Sequence, residues 1–154
     1  MAAVRTYLVV VDATPESRVA MRYAALRAAH VGARVALLHT IPTAEFMQWG
    51  GVQEIIQAEA EDAAKALLAG IADELAALSG ERPSIVIREG ETIAIVLELV
   101  AADPSIHALV LGAASKGAPG PLIDFFSGER AGTLPCLVMI VPGGIAEARL
   151  AELT

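Results

Sequence analysis

The residues best placed to do chemistry fall between positions 107 and 142, where a glycine-rich loop joins two apolar runs. The first run, His107 to Leu111, ends at Gly112, and the loop then carries Ser115, Lys116, Gly117 and Gly120. Glycine leaves backbone N–H groups bare and a helix N-terminus adds the positive end of its dipole. A loop of this kind at the carboxyl end of a parallel strand is where open α/β sheets bind phosphate-bearing ligands. Lys116 can swing towards an anion, or serve only as a solvated surface charge. Where the following helix should open with small residues the chain has Asp124, Phe125 and Phe126. Aromatic bulk there blocks close backbone approach and the carboxylate repels phosphate, which predicts poor binding of ATP.

A second chemical group closes the first apolar run, Tyr7 to Val11, where Asp12 stands. Its carboxylate suits a ribose hydroxyl or a metal ion, or a cap on the next helix, and one side chain can fill both roles. The other polar candidates carry less. His30, His39 and His107 share no ligand spacing with cysteines or carboxylates, so a hydrogen-bonded core histidine is the reading for His39. Ser17, Ser115 and Ser127 have neither a partner base nor a nucleophile-elbow motif, which argues against covalent catalysis. No catalytic residue and no metal site is assigned. Cys136 stands alone in an apolar run and reads as a buried core thiol.

The elements that must position these residues alternate along the chain. Residues 7–11 and 34–41 are strands of β-branched and aliphatic residues, the pattern of strands covered on both faces. Between them Thr14 caps a helix with Pro15 at its first position and Glu16 in its first turn, and Gly32 stops it. Val19, Tyr23, Leu26 and His30 fall on one face of that helix. A mixed segment with Phe46, Met47, Trp49 and Gly50-Gly51 reads as packing or as a flap over the crevice. It leads into a long helix to about Leu78, with a stripe of Ile56, Ala60, Ala63, Leu67, Ile71, Leu75 and Leu78. Its Glu59, Glu61 and Asp62 read as a solvated face. Residues 84–88 form a third strand. A helix with Ile93, Val96, Leu97 and Val100 follows, then strands at 108–111 and 137–141. Five strands alternating with helices predict an α/β fold, a single doubly wound parallel sheet with helices on both faces. Residues 1–142 make one domain, and Pro142-Gly143-Gly144 detaches a short C-terminal tail, 143–154.

Composition supports this and narrows function. The chain has 154 residues, 55% hydrophobic but only 4% aromatic, so its core is built from Ala, Val, Ile and Leu. With 18 acidic against 11 basic residues the net charge is −7. That field repels nucleic-acid backbones and acidic lipid surfaces, so neither is an expected partner. No secretory leader pattern and no apolar stretch of membrane-spanning length are seen, and a cytoplasmic location is expected.

Several pieces together resemble the universal stress protein family. They are Val-Val-Asp followed by Ala-Thr-Pro-Glu-Ser, the Gly-Ala-Arg-Val-Ala-Leu-Leu-His strand, Arg-Glu-Gly at 88–90, Leu-Val-Leu-Gly, and Pro-Cys-Leu-Val-Met-Ile-Val-Pro. The resemblance runs in order over nearly the whole chain, and its loop looks like the form found in bacterial members. It implies strand order 3-2-1-4-5 and homodimers that pair the last strand, here Leu137 to Val141, antiparallel. It also implies a site at the switch point between strands one and four. Residues equivalent to Val10, Val11 and Asp12 would border the adenine and ribose, the one equivalent to Thr40 would close the adenine pocket, and Leu111 and Gly112 would lie opposite. Ser115 and Lys116 complete the candidate set. The implied ligand is an adenine nucleotide, AMP or ATP with magnesium. The family's phosphate pattern, Gly-x2-Gly-x9-Gly followed by Ser or Thr, fails here in every register: from Gly112 it meets Ser115, Phe125 and Phe126.

Three function classes follow. One is a stress-response or regulatory homodimer with weak or altered nucleotide binding, acting with a protein partner as yet unknown. The second is an adenine-nucleotide sensor. The third is an enzyme, a slow hydrolase or an electron-transfer flavoprotein relative that shares the fold. The broken phosphate pattern and the lack of catalytic pairs favour the first, since fold alone does not choose between them.

Overall fold

The computed structural model describes residues 3–43 and 51–154. Phe46, Met47, Trp49 and Gly50 of the expected flap lie outside the described residues. β1 (Thr6–Val10), β2 (Arg34–Ile41), β3 (Ser84–Glu89), β4 (Ile106–Ala113) and β5 (Leu137–Pro142) form one sheet in the order β3-β2-β1-β4-β5. Every neighbouring pair is parallel. The doubly wound sheet and its order match the expectation.

Alternation along each strand divides the core between the two faces. Tyr7, Val9, Leu37 and Val110 point to one face and pack against α1 (Pro15–Val31), α2 (Gly51–Ser79) and α5 (Glu147–Leu153). Leu8, Val10, Leu38, Leu109 and Leu111 point to the other, towards α3 (Thr92–Ala102) and α4 (Pro121–Phe126). A 3₁₀ turn, Glu129–Thr133, leads from α4 to β5.

The ends of α1 follow the sequence closely. Thr14 is its N-cap and accepts from the Ser17 amide, Pro15 opens it, and Gly32 closes it in the left-handed region at φ 71°. Its buried face differs from the expected stripe. Ser17, Ala20, Met21, Ala24, Ala25 and Ala28 are buried, while Val19 and Tyr23 flank the core and His30 is exposed. Small side chains let α1 lie close on the sheet, so size rather than hydropathy selects its inner face. In α2 the inner face is Ala64, Leu68, Ile71, Ala72 and Leu75, whereas Ile56 and Leu67 of the expected stripe are exposed. Alanine and leucine surround this helix on nearly every side, so several stripes have similar periodicity and tertiary contact decides among them.

The segment after Pro142 folds back instead of hanging free. α5 buries Leu150 in the α1 side of the core, and Glu147 pairs with Arg22. The main-chain oxygen of Thr154 accepts from Arg27 (3.1 Å) and from the His30 ring (2.7 Å). Apolar burial and these bonds anchor the end that Gly143-Gly144 was expected to release. Among the described residues no helix is long and apolar enough to cross a membrane.

Candidate functional site

A crevice of about 310 Å³ opens beyond the carboxyl ends of β1 and β4, where chain progress across the sheet reverses. Val10, Val11, Asp12, Thr40, Leu111 and Gly112 all line it. Ser115 and Lys116 do not. Both are exposed, and Ser115 Cβ lies beside Gly144. The structure therefore brings six of the eight candidates together.

The floor is apolar and the rim is polar. Val10 and Leu111 come from β1 and β4, and Ile93, Leu122 and Ile123 from α3 and α4. On the rim Asp12 Oδ1 accepts from the Thr14 amide (2.9 Å) and from the Thr14 hydroxyl. Thr14 caps α1, so Asp12 orients the capping residue rather than capping the helix itself. Ser17, the one buried polar residue in the core of the described chain, donates to the Val10 carbonyl (3.2 Å) and accepts from the Asp12 amide (3.1 Å). The strand end and the first turn of α1 are thus knitted together through side chains.

Gly112 has a structural reason to be glycine. A Cβ there would stand 2.2 Å from the Glu16 carbonyl oxygen, and one at Gly143 would stand 2.8 Å from Glu16 Cβ. The first turn of α1 rests directly on these two glycines, which sets the width of the crevice.

His39, Thr92 and Glu91, which pattern reading did not place in the crevice, also line it. His39 Nδ1 lies 2.9 Å from the Val11 carbonyl oxygen. A carbonyl can only accept, so Nδ1 is the donor. Thr40 and Thr92 join hydroxyls at 2.5 Å across β2 and α3. Glu91 caps α3 with its carboxylate, accepting from Ile93 (3.0 Å) and Ala94 (2.8 Å) amides. Glutamate is a weak cap signal beside Ser, Thr, Asp or Asn, which is why sequence did not single it out.

The loop wall departs from its expected form. Pro119, Gly120 and Pro121 face the crevice with Leu122 and Ile123. The prolines have no N–H to offer. Asp124 is exposed, and Phe125 and Phe126 pack into the α3–α4 side of the core with rings edge to face at 5.0 Å. Neither the carboxylate nor the aromatic rings line the crevice. Proline and aliphatic side chains form the barrier at this end, because α4 turns Phe126 inward to become the largest fully buried side chain.

Among the described residues no Lys or Arg lines the crevice, while Asp12, Glu16 and Glu91 do. No group of three or more His, Cys, Asp or Glu residues there is arranged to hold a metal ion. Cys136 is half-buried away from the crevice; burial pushes its thiol up, and a hydrogen bond to the Leu109 backbone partly offsets this.

The family model described as "Universal stress protein family" matches residues 3–142. The chain belongs to the universal stress protein family. Its fold is also that of solved family members. Universal stress protein UspA from Lactobacillus plantarum superposes with a TM-score of 0.70 at 20% identity, covering 92% of this chain and 99% of that one. A universal stress protein family member from Burkholderia pseudomallei gives 0.63 at 16%, covering 92% and 98%. A universal stress protein solved in complex with cAMP gives 0.63 at 17%, covering 91% and 98%. No curated protein sequence matches the chain. For a universal stress protein, the proline-lined loop wall and the cation-free rim are the features that bear most on what the crevice can hold.

Proposed function

We propose that this protein is a cytoplasmic stress-response regulator that acts as a homodimer and holds an adenine nucleotide weakly, or in altered fashion, at the β1/β4 switch point. One observation carries the reading: among the described residues the floor of the crevice is apolar, while its rim supplies three carboxylates and no cation. Val10, Val11 and Leu111 suit an adenine ring, and Asp12 suits a ribose hydroxyl. Among the described residues the loop wall brings a triphosphate no cation, and Pro119 and Pro121 bring no N–H. We read the role as regulatory: among the described lining residues no pair is poised for acid–base or nucleophilic work. A sensor that binds adenine nucleotides more firmly is the second reading, favoured by the cAMP complex of a structural relative.

The dimer reading rests on β5. It is an edge strand, with Leu137 67% and Ile140 43% exposed and no charged residue along Leu137–Pro142 to discourage pairing. Light scattering should give twice the 15.9 kDa chain mass. Leu137→Lys with Ile140→Lys should give the chain mass alone or aggregate. A wild-type monomer, or a dimer unmoved by the two lysines, would remove β5 as the dimer interface. On the same protein, calorimetry should find ATP with magnesium binding weaker than about 1 μM. Tight ATP binding would replace the regulator reading with the sensor.

A further inference from the structure

We propose that the switch-point crevice is built for a phosphate-free nucleoside, a neutral ligand that donates hydrogen bonds, and that it discriminates against phosphorylated forms. The inference rests on the nucleotide-site reading above and names the ligand class.

The first argument concerns donors. Phosphate sites of this fold use backbone N–H groups at helix N-termini. At α1 and α3 the chain's own side chains already engage such groups, while the short α4 carries no side-chain cap. Glu91 places its own carboxylate on the first amides of α3, so the anion that such a terminus favours is supplied from within the chain. At α1 the Thr14 hydroxyl takes the Ser17 amide, the Asp12 carboxylate takes the Thr14 amide, and Ser17 Oγ takes the Asp12 amide. On the loop wall the Ala114 amide bonds to the Pro119 carbonyl (3.1 Å), and Pro119 and Pro121 have no N–H.

The second argument is charge. Asp12 and Glu16 flank one side of the crevice and Glu91 another, so a phosphate meets a carboxylate whichever way the ligand lies. The described lining therefore offers carboxylate oxygens and threonine hydroxyls as acceptors. A nucleoside answers them with an exocyclic amine and three sugar hydroxyls. The third argument is size, because about 310 Å³ stands at the small end of ligand cavities, where a nucleoside fits better than a triphosphate.

The test is calorimetry on the full chain with adenosine, 5′-deoxyadenosine, AMP and ATP with magnesium. The two phosphate-free ligands should bind tightest, AMP should be weaker by about tenfold, and ATP weaker again. The gap between adenosine and AMP should narrow as salt rises, because the repulsion is screened. It should narrow also in Glu16→Gln, which removes one carboxylate. The salt series needs only wild-type protein, so it decides even where the variant folds poorly. AMP or ATP binding as tightly as adenosine overturns this inference and leaves the nucleotide-site reading standing. A gap that neither salt nor Glu16→Gln changes also overturns it. Failure of all four ligands to bind overturns both readings of the crevice and leaves the dimer intact.

Discussion

The two walls of the crevice are held in opposite ways. The strand wall, from Val10 through the first turn of α1, is a closed set of short polar bonds lying on two glycines. The loop wall, from Pro119 to Ile123, has few such bonds and hangs on an aromatic anchor, Phe126, buried beneath it. One wall is fixed by local chemistry and the other by distant packing. The difference explains how the crevice keeps an adenine-like floor while its phosphate end has changed character, since an anchored aliphatic wall needs no glycine-rich cradle.

Breaking the loop wall should cost most. Phe126→Ala deletes the largest fully buried side chain and should lower stability by about 3–5 kcal/mol. Chemical denaturation checks the number. A loss below about 1 kcal/mol would mean that α4 is not anchored by this ring. Replacing Asp124, Phe125 and Phe126 with the family's Gly-Gly-Ser is accordingly expected to unfold the loop wall before it restores any phosphate site.

Breaking the strand wall at its glycine should come next. Gly112→Ala drives a Cβ into the Glu16 carbonyl, and backbone cannot swing aside as a flexible side chain would. A destabilisation of about 1–3 kcal/mol is expected, with α1 displaced and the crevice widened. An unchanged melting temperature would show that α1 yields freely there.

The same contrast governs how much was legible in the sequence. The Thr14-Pro15 start of α1 and its Gly32 stop depend on neighbours a few residues apart and sit where their patterns place them, whereas the strand order came from the family resemblance. The site residues from the strand wall, Val10 to Asp12, Leu111 and Gly112, came from the family resemblance and the switch point its strand order implies, and all five line the crevice. Asp124 to Phe126 were not legible, because whether an aromatic residue faces a ligand or the core depends on how α4 turns on the sheet. Ser115 and Lys116 failed similarly, since a loop of small residues points its polar groups where tertiary contact allows. Glu91 escaped because it works as a cap in a position where glutamate is uncommon. The inner faces of α1 and α2 escaped because alanine-rich helices give several nearly equivalent stripes.

The smallest expected effect sharpens the role of Asp12. If Thr14 is the true cap, Thr14→Ala should cost about 1 kcal/mol. Asp12→Asn should cost much less, because an amide oxygen can still accept from the Thr14 amide and hydroxyl. The two positions share one network, so the double variant should cost less than the sum of the singles. Ligand binding separates the remaining roles. In Asp12→Asn the charge is gone while the cap geometry stays, so affinity for AMP should rise relative to adenosine if the carboxylate acts on the ligand through its charge. Calorimetry on the folded variant reads this directly. An AMP-to-adenosine ratio unchanged by Asp12→Asn, together with a stability loss as large as that of Thr14→Ala, would make Asp12 a structural residue and hand the anion-repelling role to Glu16 and Glu91 alone.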